Sequence, residues 1–200
     1  MKKNIQKIIF IFALLGGLIH LYNSATGAIP PLQMRPLHVG IILVLAILQD
    51  IQKSFEGKNK IIRIGLNIVL LIFAVVSLGY FILNYELIVK SAGFTTTEIV
   101  VSGTLLVITI LIISYRVLGL ALPMVASVFI LYALFGNYLP DVIAHRGYSF
   151  SRTINFLYTN GNGIFGVPVD VATRYLVLFM IMSEFINRSG TDNLFMAVAD

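Results

Sequence analysis

The sequence predicts an all-α integral membrane protein, on three observations. Of its 200 residues 58% are hydrophobic and only 12% charged, with a mean hydropathy of +0.93, far from the balance of soluble domains. Its apolar residues run in stretches of about 20, the length that crosses a hydrocarbon core at a rise of about 1.5 Å per residue. Its few charges gather in the short segments between those stretches, which leaves no room for a second, water-soluble domain.

Six segments are candidate spans. They are Ile8 to Tyr22, Leu37 to Gln49 with a helical continuation to about Phe55, Ile61 to Leu83, Glu98 to Tyr115, Val117 to Leu139, and Ile164 to Ile186. The first two are short for a bilayer. With the amino terminus in the cytoplasm, nine basic residues fall inside (Lys2, Lys3, Lys7, Lys53, Lys58, Lys60, Arg63, Arg116 and Arg188) and four outside (Arg35, Lys90, Arg146 and Arg152). That asymmetry is the positive-inside pattern, and it accounts for the formal charge of +5 without invoking nucleic acid. On this topology Glu86 to Thr97 is extracytoplasmic and Asp50 to Lys60 cytoplasmic. A cleaved signal peptide is the alternative for the first segment: Lys2 and Lys3 form a basic head, Ile8 to Ile19 an apolar centre, and "SATGA" (24–28) a small-residue exit.

Between the fifth and sixth spans, Pro140 ends a helix, and Phe150, Ile154, Leu157 and Tyr158 recur at helical spacing opposite Arg152, Thr153 and Asn155. This pattern predicts either a short helix lying on the outer membrane surface or a polar loop. There is no repeat of fixed period and no low-complexity tract.

Most catalytic templates find no residues here, so the chain is not expected to be an enzyme. The absence of cysteine excludes disulfides, thiolate metal sites and cysteine nucleophiles. His20, His38 and His145 make no ligand spacing and fall near predicted membrane boundaries, where an interfacial role is expected. "NGNG" (160–163) lacks the strand and helix that a phosphate-cradling loop requires.

The sixth segment raises the sharper question, because it carries Asp170, Arg174 and Glu184. An ionisable group at the centre of a membrane helix costs about 2.5 to 3.5 kcal/mol. Pro168 suits a helix start, which puts Asp170 in the first turn with Arg174 four residues on. Such a pair near the outer headgroups avoids most of the penalty and is worth only about 0.2 to 0.5 kcal/mol, so replacing both members is expected to cost little. Glu184 and Arg188 repeat the spacing at the other end. Alternatively, Arg174 or Glu184 faces another helix and lines a polar path.

Three stretches carry a resemblance: "MRPLHVGIILVLAIL" (34–48), "YRVLGLALPMVASVFILYALFGNYLPDVIAHRGYSFSRTINFLYTNGNGIFGVPVDVATRYLVLF" (115–179) and "FINRSG" (185–190). Their most specific parts are Arg35-x-x-His38, Arg116-x-x-Gly119, Tyr132-Ala133-x-x-Gly136, and Tyr158 followed by Gly163-Ile164-Phe165-Gly166-x-Pro168. The chain resembles the TAXI type of TRAP transporter permeases, in which small four-helix and large twelve-helix membrane subunits are fused. That resemblance implies a multi-pass protein of a bacterial inner membrane. A periplasmic substrate-binding protein would deliver an organic acid, and the permease would move it inward with sodium ions.

It further implies that residues 1–115 correspond to the small-subunit-like four-helix region and 116–200 to the start of the large transport subunit. The re-entrant hairpins and sodium sites of the family come later than the matched segment. The resemblance therefore assigns no catalytic, cofactor or metal residue here, and the 200-residue chain alone is expected to insert in a membrane but to transport nothing. A non-transporting membrane scaffold or assembly subunit is the alternative reading.

Overall fold

The structure is a computed structural model that describes residues 2–55, 59–90 and 94–190. The helices are α1 (Lys2–Thr26), α2 (Pro31–Ser54), α3 (Lys60–Leu83), α4 (Tyr85–Lys90), α5 (Thr97–Leu118), α6 (Ala121–Phe135), α7 (Phe150–Thr159), α8 (Val167–Val171) and α9 (Val177–Ser189). A 3-10 turn, Gly136–Tyr138, extends α6, and a π turn, Ala172–Leu176, joins α8 to α9 without a break. No strand occurs among the described residues.

Five helices, α1, α2, α3, α5 and α6 with its 3-10 extension, are long and apolar enough to cross a membrane. The first two are longer than their apolar stretches suggest, 25 and 24 residues. The polar ends Asn23 to Thr26 and Pro31 to Arg35 stay helical, and Pro36 is accommodated inside α2 at the loss of one backbone donor. The sixth candidate segment is helical from Val167 to Ser189, but four charged side chains set it apart from those five.

The centre of the bundle is α2, α3 and α5, which pack successively against one another. Their buried apolar residues recur every three or four positions, or every seven (two turns): Leu43, Ile47 and Ile51 on α2, Leu70, Ala74, Leu78 and Phe81 on α3, and Ile99, Leu106 and Ile113 on α5. That stripe is the helical period turned inward. Ala74 is fully buried, and near it the Ser77 hydroxyl donates to the Ser102 carbonyl at 2.7 Å, tying α3 to α5. On the outer helices the large apolar side chains point away from the bundle, among them Leu14 and Leu18 on α1, Phe129 on α6 and Phe179 on α9. An apolar exterior of this kind is what a lipid solvent favours.

The helix predicted between the fifth and sixth spans exists as α7, and its buried face matches the expected one at Ile154 and Tyr158 but takes in Thr153 and Asn155 from the side expected to be polar. Thr153, Ile154, Asn155 and Tyr158 are buried, whereas Phe150 and Phe156 are exposed. The reason is that α7 packs on α5 and α6 instead of lying free on a surface. Gly103 of α5 makes the close approach possible, since a β-carbon there would stand 2.7 Å from Ile154 and 2.9 Å from Tyr158. The polar members of the buried face are satisfied locally: Asn155 donates to the Thr95 hydroxyl at 2.8 Å, and Thr153 to the Ser149 carbonyl at 3.1 Å. Tyr158 sits at the end of this contact, its hydroxyl donating to the Ser77 carbonyl at 2.5 Å and its ring edge-on to Phe81. Burial pushes its phenol up to about 12.

The expected division between residues 115 and 116 falls inside α5, which runs unbroken from Thr97 to Leu118. Gly119, at φ +84°, then turns the chain into α6, a backbone conformation that only glycine adopts without strain.

Candidate functional site

Two polar knots lie at opposite ends of the bundle. At the end where α2 finishes and α3 begins, Asp50, Asn67 and Arg116 join α2, α3 and α5. The Asn67 amide donates to Oδ2 of Asp50 at 2.8 Å, and Arg116 reaches the same oxygen at 2.9 Å and also the Asn67 carbonyl oxygen. Asn67 is fully buried, and the Arg116 and Asp50 side chains are only 17% and 12% exposed. Three helices thus share one charge-assisted network, with each buried polar group answered by another.

The second knot forms at the other end, around Asp170. Oδ1 of Asp170 accepts from Nε of Arg174 at 2.9 Å, the expected pair within one helix. The same oxygen accepts from Nε of Arg35 on α2, also at 2.9 Å, and Arg35 donates in addition to the Phe165 carbonyl at 3.0 Å. Arg35 is 14% exposed and Asp170 22%, against 46% for Arg174. The dominant contact of Asp170 is therefore between helices, and the picture of a self-contained intrahelical pair is replaced by a clamp from α2 to the start of α8.

Local chemistry explains how α8 is aimed at Arg35. Gly163 and Gly166 let the chain fold tightly after α7: a β-carbon at Gly163 would lie 2.4 Å from the Leu157 carbonyl oxygen, and one at Gly166 would lie 2.9 Å from that of Gly163. The Ile164 amide donates to the Leu157 carbonyl at 2.8 Å, which swings Phe165 into the aromatic cluster with Phe81 and Tyr158. Pro168 occupies the first turn of α8, where a missing N–H is no loss. The Asp170 carboxylate is then held at a helix amino terminus, which favours its charge.

Beside the clamp is a polar cavity of about 420 Å³ between α1, α2 and the α8–π segment, lined by His20, Asn23, Ser24, Asp170, Thr173 and Arg174 among others. The π turn of Ala172–Leu176 carries Thr173 and Arg174 on this wall. Single π turns inside helices frequently mark functional positions.

His20 stands at the edge of the cavity, with its ring buried against α2. Both His20 and His38 are buried, 4% exposed, with Nε2 of His20 and Nδ1 of His38 at 2.9 Å. Nδ1 of His20 is 2.7 Å from the Gly16 carbonyl, which can only accept. That nitrogen therefore carries its proton, and with both rings neutral His38 donates to His20. This dyad and Gly16, packed closely on Ile41, are the buried contacts of α1 with α2.

Glu184 does not join either knot. It pairs with Arg188 at 2.6 Å, with side chains 60% and 82% exposed, on α9, a helix with no buried residue. Of the three intramembrane candidates, Asp170 and Arg174 thus line one cavity, and Glu184 faces away from the bundle. His145, the third histidine, is held in the loop after α6: Gly147 N–H donates to its Nδ1 at 3.0 Å, and its Nε2–H donates to the Tyr132 carbonyl at 2.9 Å. Gly136 must be glycine for this, since a β-carbon there would overlap the imidazole at 1.9 Å.

Among the described residues no group of three or more His, Asp or Glu is arranged to hold a metal ion. Compared with protein-family models, with curated proteins and with solved structures, the chain gives no match.

Proposed function

We propose that the chain is a membrane-embedded component of a sodium-coupled permease of the TRAP type, importing organic acids handed over by a periplasmic binding protein in a bacterial inner membrane. The observation that carries this reading is the contact between two of the four most specific parts of the resemblance. Arg35, of the Arg-x-x-His motif, donates to the carbonyl of Phe165, in the middle of Gly-Ile-Phe-Gly-x-Pro. The partner residues of these motifs are also engaged: His38 bonds His20, Arg116 bonds Asp50, Gly119 makes the α5–α6 turn, Gly136 seats His145, and Tyr158 bonds Ser77. Residues that recur together in a motif and then meet in space have a common task, here to fasten the start of the transport region onto the small-subunit-like helices.

On this reading the cavity beside Asp170 and Arg174 is a polar vestibule on the outer side, and its walls do not amount to a translocation path. Translocation needs broken helices with backbone ligands near the membrane midplane, and in the family those segments come later. Complementation tests the proposal: the complete gene, with a neighbouring periplasmic binding-protein gene, should restore sodium-dependent growth on an organic acid to a transport-deficient strain. Growth that needs neither sodium nor the binding protein would count against it.

A further inference from the structure

A second surface, unrelated to the polar knots, lies where α5, α6 and α7 meet. Val107 and Leu111 on α5, Ala126, Phe129 and Ala133 on α6, and Phe156 on α7 wall a groove of about 380 Å³ whose lining is almost wholly apolar. Ala133, Thr153 and Phe156 also wall an adjoining hollow of about 350 Å³, completed by Tyr148 and Arg152. Arg152 stands 5.4 Å and Arg146 5.8 Å from the centre of the Tyr148 ring. Among the described residues neither arginine has a carboxylate partner, and Asp141 of the same loop lines neither hollow. One guanidinium group, Arg152, therefore lines the hollow that adjoins the apolar groove, and a second, Arg146, stands over the Tyr148 ring that helps wall that hollow.

The depth of the slot fits one kind of occupant. Val107 and Leu111 are 10 and 14 residues along α5 from Thr97, or roughly 15 to 21 Å at the helical rise. The groove thus runs from the level of α7 to about the middle of a hydrocarbon core of roughly 30 Å. A phospholipid has its phosphodiester where the acyl chains begin, so a lipid whose anion meets Arg146 and Arg152 lays one chain along the groove. The net positive mouth selects for an anionic headgroup.

We propose that this groove is a binding site for a single anionic glycerophospholipid, held by Arg146 and Arg152 at the headgroup and by the α5–α6–α7 cleft along one acyl chain. Such a lipid seals α7 against α6 and completes the outer end of the bundle. This site is independent of transport, and its existence does not depend on the permease reading.

Native mass spectrometry on the full chain, delipidated in mild detergent and offered equal phosphatidylglycerol and phosphatidylethanolamine, measures it. One phosphatidylglycerol per chain should be retained in preference to phosphatidylethanolamine by about tenfold or more, as two basic groups near a membrane surface imply. The Arg146→Gln/Arg152→Gln double variant, which alters only exposed side chains, should lose that preference. Ala133→Phe, or Ala126→Leu should the first fail to fold, should reduce retention of both lipids, and Lys53→Gln at the opposite end should change nothing. Inorganic phosphate at millimolar concentration should not displace the lipid.

Equal retention of the two lipids, an unchanged preference in the double arginine variant, or full displacement by phosphate would overturn the proposal. So would a groove variant that alters only self-association, since the groove would then belong to a second copy.

Discussion

Replacing Asp170 by asparagine should be the most damaging single change in the knot that joins Arg35, Asp170 and Arg174. In the native protein its Oδ1 answers Arg35 and Arg174 at once, and Arg35 is only 14% exposed. Losing one partner of a fully buried ion pair costs about 3 to 5 kcal/mol. Here both partners keep some contact with water and Arg35 retains the Phe165 carbonyl, so a loss of about 2 to 3 kcal/mol is the reasonable scale. Arg174→Gln removes a contact made by a side chain 46% exposed and should cost about 0.5 to 1 kcal/mol. Arg35→Gln combined with Asp170→Asn removes both members of the inter-helix pair, so the double variant should be less damaged than the sum of the singles by about 1 kcal/mol or more.

A double-mutant cycle on unfolding in detergent or nanodiscs reads all four states. If Asp170→Asn costs no more than Arg174→Gln, or the Arg35 and Asp170 losses simply add, the inter-helix clamp is wrong and the self-contained pair expected from the sequence is right.

Other consequences follow from the remaining geometry. Arg116→Leu leaves the Asp50 carboxylate, 12% exposed, with Asn67 as its partner in the knot at the other end of the bundle, and should lose about 2 to 4 kcal/mol, part of which Asp50→Asn restores in the double variant. The Tyr158 phenol, pushed up to about 12 by burial, ionises later in the folded protein than its ordinary value of 10.0. Its stabilising contribution is complete below pH 10 and is lost as the pH rises toward 12. Tyr158→Phe should therefore flatten the alkaline loss of stability while costing about 1 kcal/mol at neutral pH; an equally steep alkaline loss in the variant would refute the assignment. For topology, Glu86→Cys should react with an impermeant thiol reagent in intact cells and Lys53→Cys should not, both positions being exposed. The opposite result would invert the orientation. Ser54, fully buried and bonded to the Asp50 carbonyl, is unsuited to that test, and Ser91 lies outside the described residues.

Hydropathy made the helices legible, because apolar length is a direct consequence of bilayer thickness. The stripe Leu43, Ile47, Ile51 could also be read from its period. The polar contacts were harder, for different reasons. His20 and His38 lie symmetrically about Ile29, between α1 and α2, and Asp50 and Asn67 nearly so about the midpoint of Ser54 and Lys60, where α2 ends and α3 begins. Residues equidistant from a tight helical turn reach the same depth in an antiparallel pair, so both contacts carried a signal in the chain. The Arg35–Asp170 contact had none of that kind, since its members are 135 residues apart. What masked it was a closer partner: Arg174, four residues along the same helix, satisfied Asp170 on paper. The face of α7 is only partly legible because sequence polarity assigns Thr153 and Asn155 to water, whereas Thr95 and the Ser149 carbonyl answer them inside the bundle.

Uptake in proteoliposomes tests the central claim most directly. On the proposed reading, the protein reconstituted with a periplasmic binding protein encoded beside its gene and offered a labelled organic acid should accumulate it only with an inward sodium gradient and only with that binding protein present. Arg35→Gln, which releases the Phe165 carbonyl and one bond to Asp170, should lower the rate several-fold. Accumulation without sodium or without the binding protein would contradict the account.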